Sequence, residues 1–174
     1  LWPGRCAASA AAGGRRELPL LKIDLPGREI TLDHVVLDFN GTLALDGSLL
    51  PGVRKRLEDL ARKAALYVFT ADTIGSAAGE CAGLPVEMVR VSPQEGGVDK
   101  ARLVERLGAD RTAAIGNGRN DALMLQKAAL GLVVLGEEGA DVGALLAADV
   151  VFPHILAALD FLLKPRRAVA TLRP

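Results

Sequence analysis

With 174 residues, half of them hydrophobic, the chain can bury one sizeable core and is too short to expect two. Its 21 Lys and Arg residues balance 21 Asp and Glu residues, so no overall positive field exists to hold a nucleic-acid backbone or an anionic membrane surface. No apolar run approaches the roughly 20 residues that cross a bilayer; Cys6 and Cys81 lie far apart and form neither a disulfide framework nor a zinc site, which fits a reducing cytoplasm.

The opening LWPGRCAASAAAGGRRE is small, flexible and basic, and residues 1–17 are expected to form an unstructured tail ahead of a single domain over 18–174. Two extended runs, LLKIDL and REITL, flank Pro26-Gly27 and predict a hairpin. From His34 onward short apolar runs alternate with amphipathic stretches, as expected of strands joined by helical crossovers. The expected strands are 34–39, 66–69, 86–89, 112–115 and 131–135, with a sixth at 149–152; the expected helices are 52–63, 73–82, 98–107, 120–129, 140–147 and 154–163. The strands are brief and do not alternate, which suits burial on both faces. The fold class is therefore α/β, a doubly wound parallel sheet in a Rossmann-like three-layer arrangement.

In such a sheet the loops after the strand C-termini share one edge, where ligands bind near the switch in strand order. Those loops carry Asp38-Phe39-Asn40-Gly41-Thr42, then Thr70-Ala71-Asp72, then Gly116-Asn117-Gly118-Arg119-Asn120-Asp121, and Lys100 lies near the start of a helix. Polar groups interrupting apolar sequence at one topological level cost folding energy unless they serve a purpose. Asp38 ends an apolar strand, a nucleophile's position, with the backbone N–H groups of the Gly41-Thr42 turn expected to face a phosphate. A carboxylate attacking phosphorus needs like-charge repulsion reduced by a divalent cation, with a lysine and a hydroxyl completing the cradle. Lys100 and Thr70 supply those groups, and Asp121 and the side-chain oxygen of Asn117 are candidate ligands for Mg²⁺, which usually takes only one or two carboxylates and keeps waters.

The ordered set Asp-x-x-Gly-Thr-Leu at 38–43, Thr70, Lys100 and Gly-Asn-Gly-Arg-Asn-Asp at 116–121 resembles the four motifs of the haloacid dehalogenase-like phosphatases and phosphotransferases. Thr70-Ala71-Asp72 is similar to the Thr-Gly-Asp of P-type ATPase phosphorylation domains, and the chain most resembles the small soluble P-type ATPase-like proteins over residues 20–172. The resemblance implies an aspartyl-phosphate at Asp38 and Mg²⁺ ligation by Asp38, the Asn40 carbonyl, Asn117 and Asp121. It also implies phosphoryl contacts from Gly41, Thr42, Thr70, Ala71 and Lys100, with Asn120 orienting the site and residues 45–49 forming a flap beside the nucleophile. The substrate class so implied is a phosphorylated small molecule, a nucleotide or a phosphoprotein. About thirty residues separate Asp38 from Thr70 and Thr70 from Lys100, which leaves no room for a cap domain. The resulting open site suits a macromolecular substrate or closure by a neighbouring subunit, hence a homo-oligomer.

Two positions depart from the family pattern. Asn40 stands where most family phosphatases carry a second Asp that protonates the leaving group and activates water, so slow hydrolysis or phosphoryl transfer is expected. Asn117 stands where Asp is usual and implies weaker Mg²⁺ binding. The competing class is a catalytically weak, regulatory phosphate-binding protein. Outside the motifs, His34, His154 and Arg119 read as structural or exposed. Lys164-Pro165-Arg166-Arg167 reads as a solvated basic end, or one that brings positive charge to an active site.

Overall fold

The computed structural model of the protein describes residues 21–71 and 76–174; the expected tail at 1–17 and Asp72 lie outside them. The hairpin forms as expected, β1 (Leu21–Leu25) antiparallel to β2 (Arg28–Leu32) around Gly27 at φ 84°. Then come β3 (His34–Asp38), the two-residue strands β4 (Ala44–Leu45) and β5 (Ser48–Leu49), and α1 (Val53–Leu60). β6 (Ala65–Thr70), α2 (Ser76–Glu80), β7 (Glu87–Arg90) and α3 (Gly96–Leu107) follow. The last part holds β8 (Thr112–Gly116), α4 (Ala122–Lys127), β9 (Leu130–Val134), α5 (Val142–Ala147), β10 (Val150–Phe152), α6 (Ile155–Leu163) and α7 (Pro165–Leu172). Single 3₁₀ turns at Ala109–Arg111 and Arg119–Asp121 precede β8 and α4.

Six strands form one parallel sheet in the order β10-β9-β8-β3-β6-β7. The first sheet strand in the chain, β3, is central; the next two extend to one side and the last three to the other, so the order reverses between β3 and β8. Ligand sites of doubly wound sheets lie at the strand C-termini beside this reversal, and here those termini are Asp38 and Gly116.

Successive side chains of a strand point to opposite faces. Val35 and Leu37 enter a core with the hairpin, α1 and α6, whereas Val36 joins Phe69, Val104, Met124 and Val133 under α3 and α4. Burial on both faces explains the unbroken apolar runs in the strands. Among the described residues no helix is long and apolar enough to cross a membrane.

Every expected strand is present within two residues of its expected limits, including the sixth. One element differs from expectation. The basic stretch opens a helix, α7, that was not expected: Lys164, Arg166 and Arg167 are exposed, as a solvated stretch would be, but Pro165 occupies the first turn, and Ala168, Val169 and Leu172 pack into the hairpin-side core. Lys164 and Arg167 lie 3.0 and 3.5 Å from Asp160 of α6, so these two cations are held within their own helix pair.

Candidate active site

The loop that follows β3 is a tight reversal in which Leu43 and Ala44 both donate their N–H to the Phe39 carbonyl at 2.9 Å. It leads into the expected flap, β4 paired with β5 through Asp46-Gly47, whose positive φ values of 50° and 80° suit a two-residue hairpin turn. Glu80 of α2 accepts the Leu49 N–H at 2.8 Å and fastens the flap to the body of the protein.

Asp38, at the tip of β3, lies 2.6 Å from the ammonium of Lys100 on α3. The same ammonium lies 2.6 Å from Asp121 Oδ1, and both Lys100 and Asp121 are essentially inaccessible to solvent. The second Asp121 oxygen accepts the N–H groups of Asn117 and Gly118, each at 2.9 Å. Lys100 also faces the ring of Phe69, 5.8 Å from its centroid. Burial, and then repulsion from Asp121, push the Asp38 carboxyl up to about 7 against the opposing pull of Lys100. Burial alone would lower Lys100, but the two carboxylates outweigh it and hold the ammonium above its ordinary value.

A cavity of about 230 Å³ opens onto this cluster, walled by Asp38, Asn40, Thr70, Ala71, Lys100 and Asn117. Asn120 and Glu138 complete its polar lining. The structure thus gathers at one sheet edge motif residues that the sequence spreads from Asp38 to Asp121. Gly41 and Thr42 are the correction. They wall a separate cavity on the flap side; Gly41 donates its N–H to the Ala44 carbonyl at 2.8 Å and Thr42 donates to Phe39 at 3.4 Å, so the turn bonds to itself rather than presenting these donors to the cavity. The Thr42 hydroxyl instead donates to Asn117 Oδ1 at 3.2 Å, joining the nucleophile loop to the Gly-Asn-Gly loop.

Glu138 is the residue that sequence reasoning missed. The loop after β9 bends through Gly136 and Gly139, both at positive φ, and Asn117 Nδ2 donates to the Gly139 carbonyl at 3.0 Å. A Cβ on Gly41 would lie 2.7 Å from Glu138 Oε2 and 2.5 Å from Asn117 Nδ2, so the absence of a side chain at 41 lets the loops close on one another. The available signal was two glycines bracketing two glutamates just past a strand C-terminus.

The cavity lining suits a small hard cation: Asp38 offers a carboxylate oxygen, Asn40 borders it, and no thiolate or imidazole lines it, while Asn117 Oδ1 already accepts from the Thr42 hydroxyl. Among the described residues no group of three or more His, Cys, Asp or Glu side chains could hold a metal. Any ion would therefore rely on Asp38, amide or backbone oxygens, water and the substrate's phosphate. Asp121, with both oxygens engaged, is placed to act through water or by charge rather than as a direct ligand.

No family model matches the chain. It is 41% identical over 80 residues to Uncharacterized protein MJ0073 of Methanocaldococcus jannaschii, covering 44% of this chain and 86% of that one. A second uncharacterized protein of the same archaeon is 46% identical over 39 residues, covering 22% of this chain and 89% of that one. A solved structure of a putative HAD superfamily (subfamily III A) hydrolase from Legionella pneumophila superposes with a TM-score of 0.65 at 16% identity, covering 80% of this chain and 86% of that one. The 3-deoxy-D-manno-octulosonate 8-phosphate phosphatase of Moraxella catarrhalis, in complex with magnesium, phosphate and KDO, gives 0.61 at 13% identity over 77% of this chain and 87% of that one. The cobalt-bound form of the corresponding Haemophilus influenzae phosphatase gives 0.61 at 16% identity over 81% and 92%.

Proposed function

This chain has the haloacid dehalogenase-like fold and belongs to one family with the archaeal protein MJ0073, and from that premise we propose that it is a Mg²⁺-assisted phosphohydrolase or phosphotransferase acting through Asp38. The observation that carries the reading is the convergence of Asp38, Lys100 and Asp121 through two 2.6 Å contacts at the floor of a cavity that Thr70, Asn117 and Asn120 also line. Two neighbours in fold, bound to magnesium and to cobalt, support a divalent ion here.

A carboxylate oxygen of Asp38 attacks phosphorus, the bond from phosphorus to the leaving oxygen breaks, and that oxygen takes a proton from solvent. Lys100 holds positive charge beside the attacking carboxylate, while Thr70 and Asn120 face the phosphoryl oxygens. A bound Mg²⁺ supplies the charge neutralisation that lets a carboxylate approach a phosphate. Water, or an acceptor hydroxyl, then attacks the same phosphorus and releases Asp38. Asn40 borders the cavity and has no proton to give or take, so the aspartyl-phosphate is long-lived, in the manner of the P-type ATPase phosphorylation domains that Thr70-Ala71-Asp72 resembles. The substrate is a phosphorylated small molecule, and the setting a reducing, cytoplasmic one.

The test is incubation with Mg²⁺ and a panel of phosphate donors followed by mass spectrometry. The expected result is phosphate on Asp38, lost in Asp38→Asn. Absence of both adduct and phosphate release across the panel would overturn the reading. It would favour a regulatory phosphate-binding protein, the alternative that amides at both 40 and 117 suggest.

A further inference from the structure

Glu137 and Glu138 follow β9 on a loop that no step of the reaction above uses. The two neighbouring carboxylates part company: Glu137 borders the cavity on the flap side, and Glu138 borders the catalytic one together with Asp38, Asn40 and Asn117. Glu138 is exposed, and among the described residues no hydrogen bond or ion pair engages its carboxylate. The other acids of the site are committed, Asp38 and Asp121 to Lys100, and Asp121 also to two backbone N–H groups.

Contact between loops brings Glu138 to the cavity. A Cβ placed on Gly136 would lie 3.3 Å from the Gly41 carbonyl oxygen, so backbone approaches backbone there. The point that a Cβ of Gly41 would occupy lies 2.7 Å from Glu138 Oε2, 2.5 Å from Asn117 Nδ2 and 3.0 Å from Asn117 Oδ1. The Glu138 carboxylate and the Asn117 amide therefore meet over the residue that follows Asn40. Asn117 fixes this arrangement: its Nδ2 donates to the Gly139 carbonyl at 3.0 Å while its Oδ1 accepts from Thr42 at 3.2 Å. An aspartate at 117 would have no N–H to give to Gly139, and its charge would face Glu138. The amide at 117 and the acid at 138 thus suit one another, and the carboxylate at this rim of the cavity comes from the loop after β9 instead of the loop after β8.

We propose that Glu138 serves the Mg²⁺ site in place of a carboxylate at 117, acting on the ion through bound water. The inference rests on the reading of the Asp38 cavity as a site for Mg²⁺ and phosphate. Mg²⁺ keeps several waters and needs only one or two carboxylates of its own, and groups that hold a metal's ligands in place raise its affinity without touching it. Such a role fits the described residues, among which no group of three or more His, Cys, Asp or Glu side chains could hold a metal.

Calorimetry of the full chain with Mg²⁺ alone tests this without turnover. Glu138→Gln keeps the size of the side chain and breaks no hydrogen bond, and losing one negative charge beside a divalent ion should weaken Mg²⁺ binding roughly tenfold. Glu137→Gln makes the same change in net charge one residue away, at the other cavity, and affinity should stay within about twofold because solvent and salt screen a charge that does not face the ion. Adding Asn117→Asp to Glu138→Gln moves the carboxylate rather than removing it and should recover most of the loss. Thermal unfolding in EDTA verifies that each variant folds; if the one carrying Asn117→Asp does not, the comparison of 137 with 138 decides alone. Unchanged affinity in Glu138→Gln, an equal loss in Glu137→Gln, or a loss that the folded double variant retains would overturn the role of Glu138 and leave the chemistry at Asp38 standing. If the unaltered protein binds no Mg²⁺, the metal-assisted reading fails and takes Glu138 with it.

Discussion

Lys100 Nζ and Asp121 Oδ1 stand 2.6 Å apart in full burial, and this contact joins the helix after β7 to the loop after β8 beneath the candidate nucleophile. An ion pair in this setting is expensive to break from one side, because the remaining charge has no water to turn to. Lys100→Met leaves Asp38 and Asp121 facing each other, and roughly 3–5 kcal/mol of stability should be lost at neutral pH. Mg²⁺ should restore more of the melting temperature in this variant than in the parent, since it replaces the missing cation; thermal unfolding with and without the ion measures both effects.

Asp38 gives the pair a pH signature in metal-free protein. Its folded carboxyl titrates near 7, above the ordinary 3.8. Below pH 4 it is protonated in both folded and unfolded chains and contributes no difference. Between about 4 and 7 the unfolded chain releases the proton first, so stability falls as pH rises and levels off above 7. Asp38→Asn should therefore raise stability by about 1–3 kcal/mol at pH 8, less than the full shift implies because Lys100 loses a partner. The gain should vanish near pH 4. Chemical denaturation in EDTA across this range checks the slope.

Asp160 behaves in the opposite sense. It accepts from Arg56 of α1 at 2.8 Å and lies 3.0 Å from Lys164, and Arg56 first, then Lys164, holds its carboxyl below the usual range. Its contribution is present above pH 4 and lost as pH falls through its lowered value. Asp160→Asn should cost about 1 kcal/mol at pH 7 and progressively less toward pH 2, read from urea midpoints.

That cluster also marks where sequence patterns stop being legible. Strands β3, β6, β8 and β9 were readable because burial on both faces leaves unbroken apolar runs, and Asp38, Thr70 and Asn117 were readable because each ends or follows one. Helix α7 was not: Lys164, Arg166 and Arg167 mask an apolar stripe of Ala168, Val169 and Leu172, and only the hairpin opposite gives that stripe a surface to cover. Glu138 was hidden for a related reason. A loop acid acquires meaning from the loop it packs against, and the contact with Gly41 is long-range. The expectation that Gly41 and Thr42 offer N–H groups to phosphate failed locally, since those donors close the turn first.

Gly41 itself should tolerate no side chain. Its φ of 76° disfavours any L-residue, and the added Cβ would approach Asn117 and Glu138 within 2.7 Å. Gly41→Ala should cost about 1–3 kcal/mol and displace the Glu138 and Asn117 side chains that line the cavity. The measurement is thermal stability together with Mg²⁺ affinity by calorimetry. A loss of affinity beyond the unfolding effect would mean that packing of the two loops, and not the backbone angle alone, shapes the metal-facing side.

Asn40 carries the last prediction, because it separates slow chemistry from a defective site. It borders the cavity together with Asp38 and is exposed, so a carboxylate there meets solvent and needs no rearrangement of the core. Asn40→Asp adds a group able to protonate the leaving oxygen and then to activate water for the second attack. A general acid–base contributes roughly 10²–10⁴ in rate. Phosphate release should rise toward that range while the steady-state level of phosphate on Asp38 falls, since breakdown of the intermediate gains more than its formation. Rapid quench with mass spectrometry follows both quantities in one experiment. A faster release with an undiminished adduct would place the slow step at leaving-group departure. No change in either, in a variant that folds and binds Mg²⁺ normally, would mean that something other than the missing acid limits turnover.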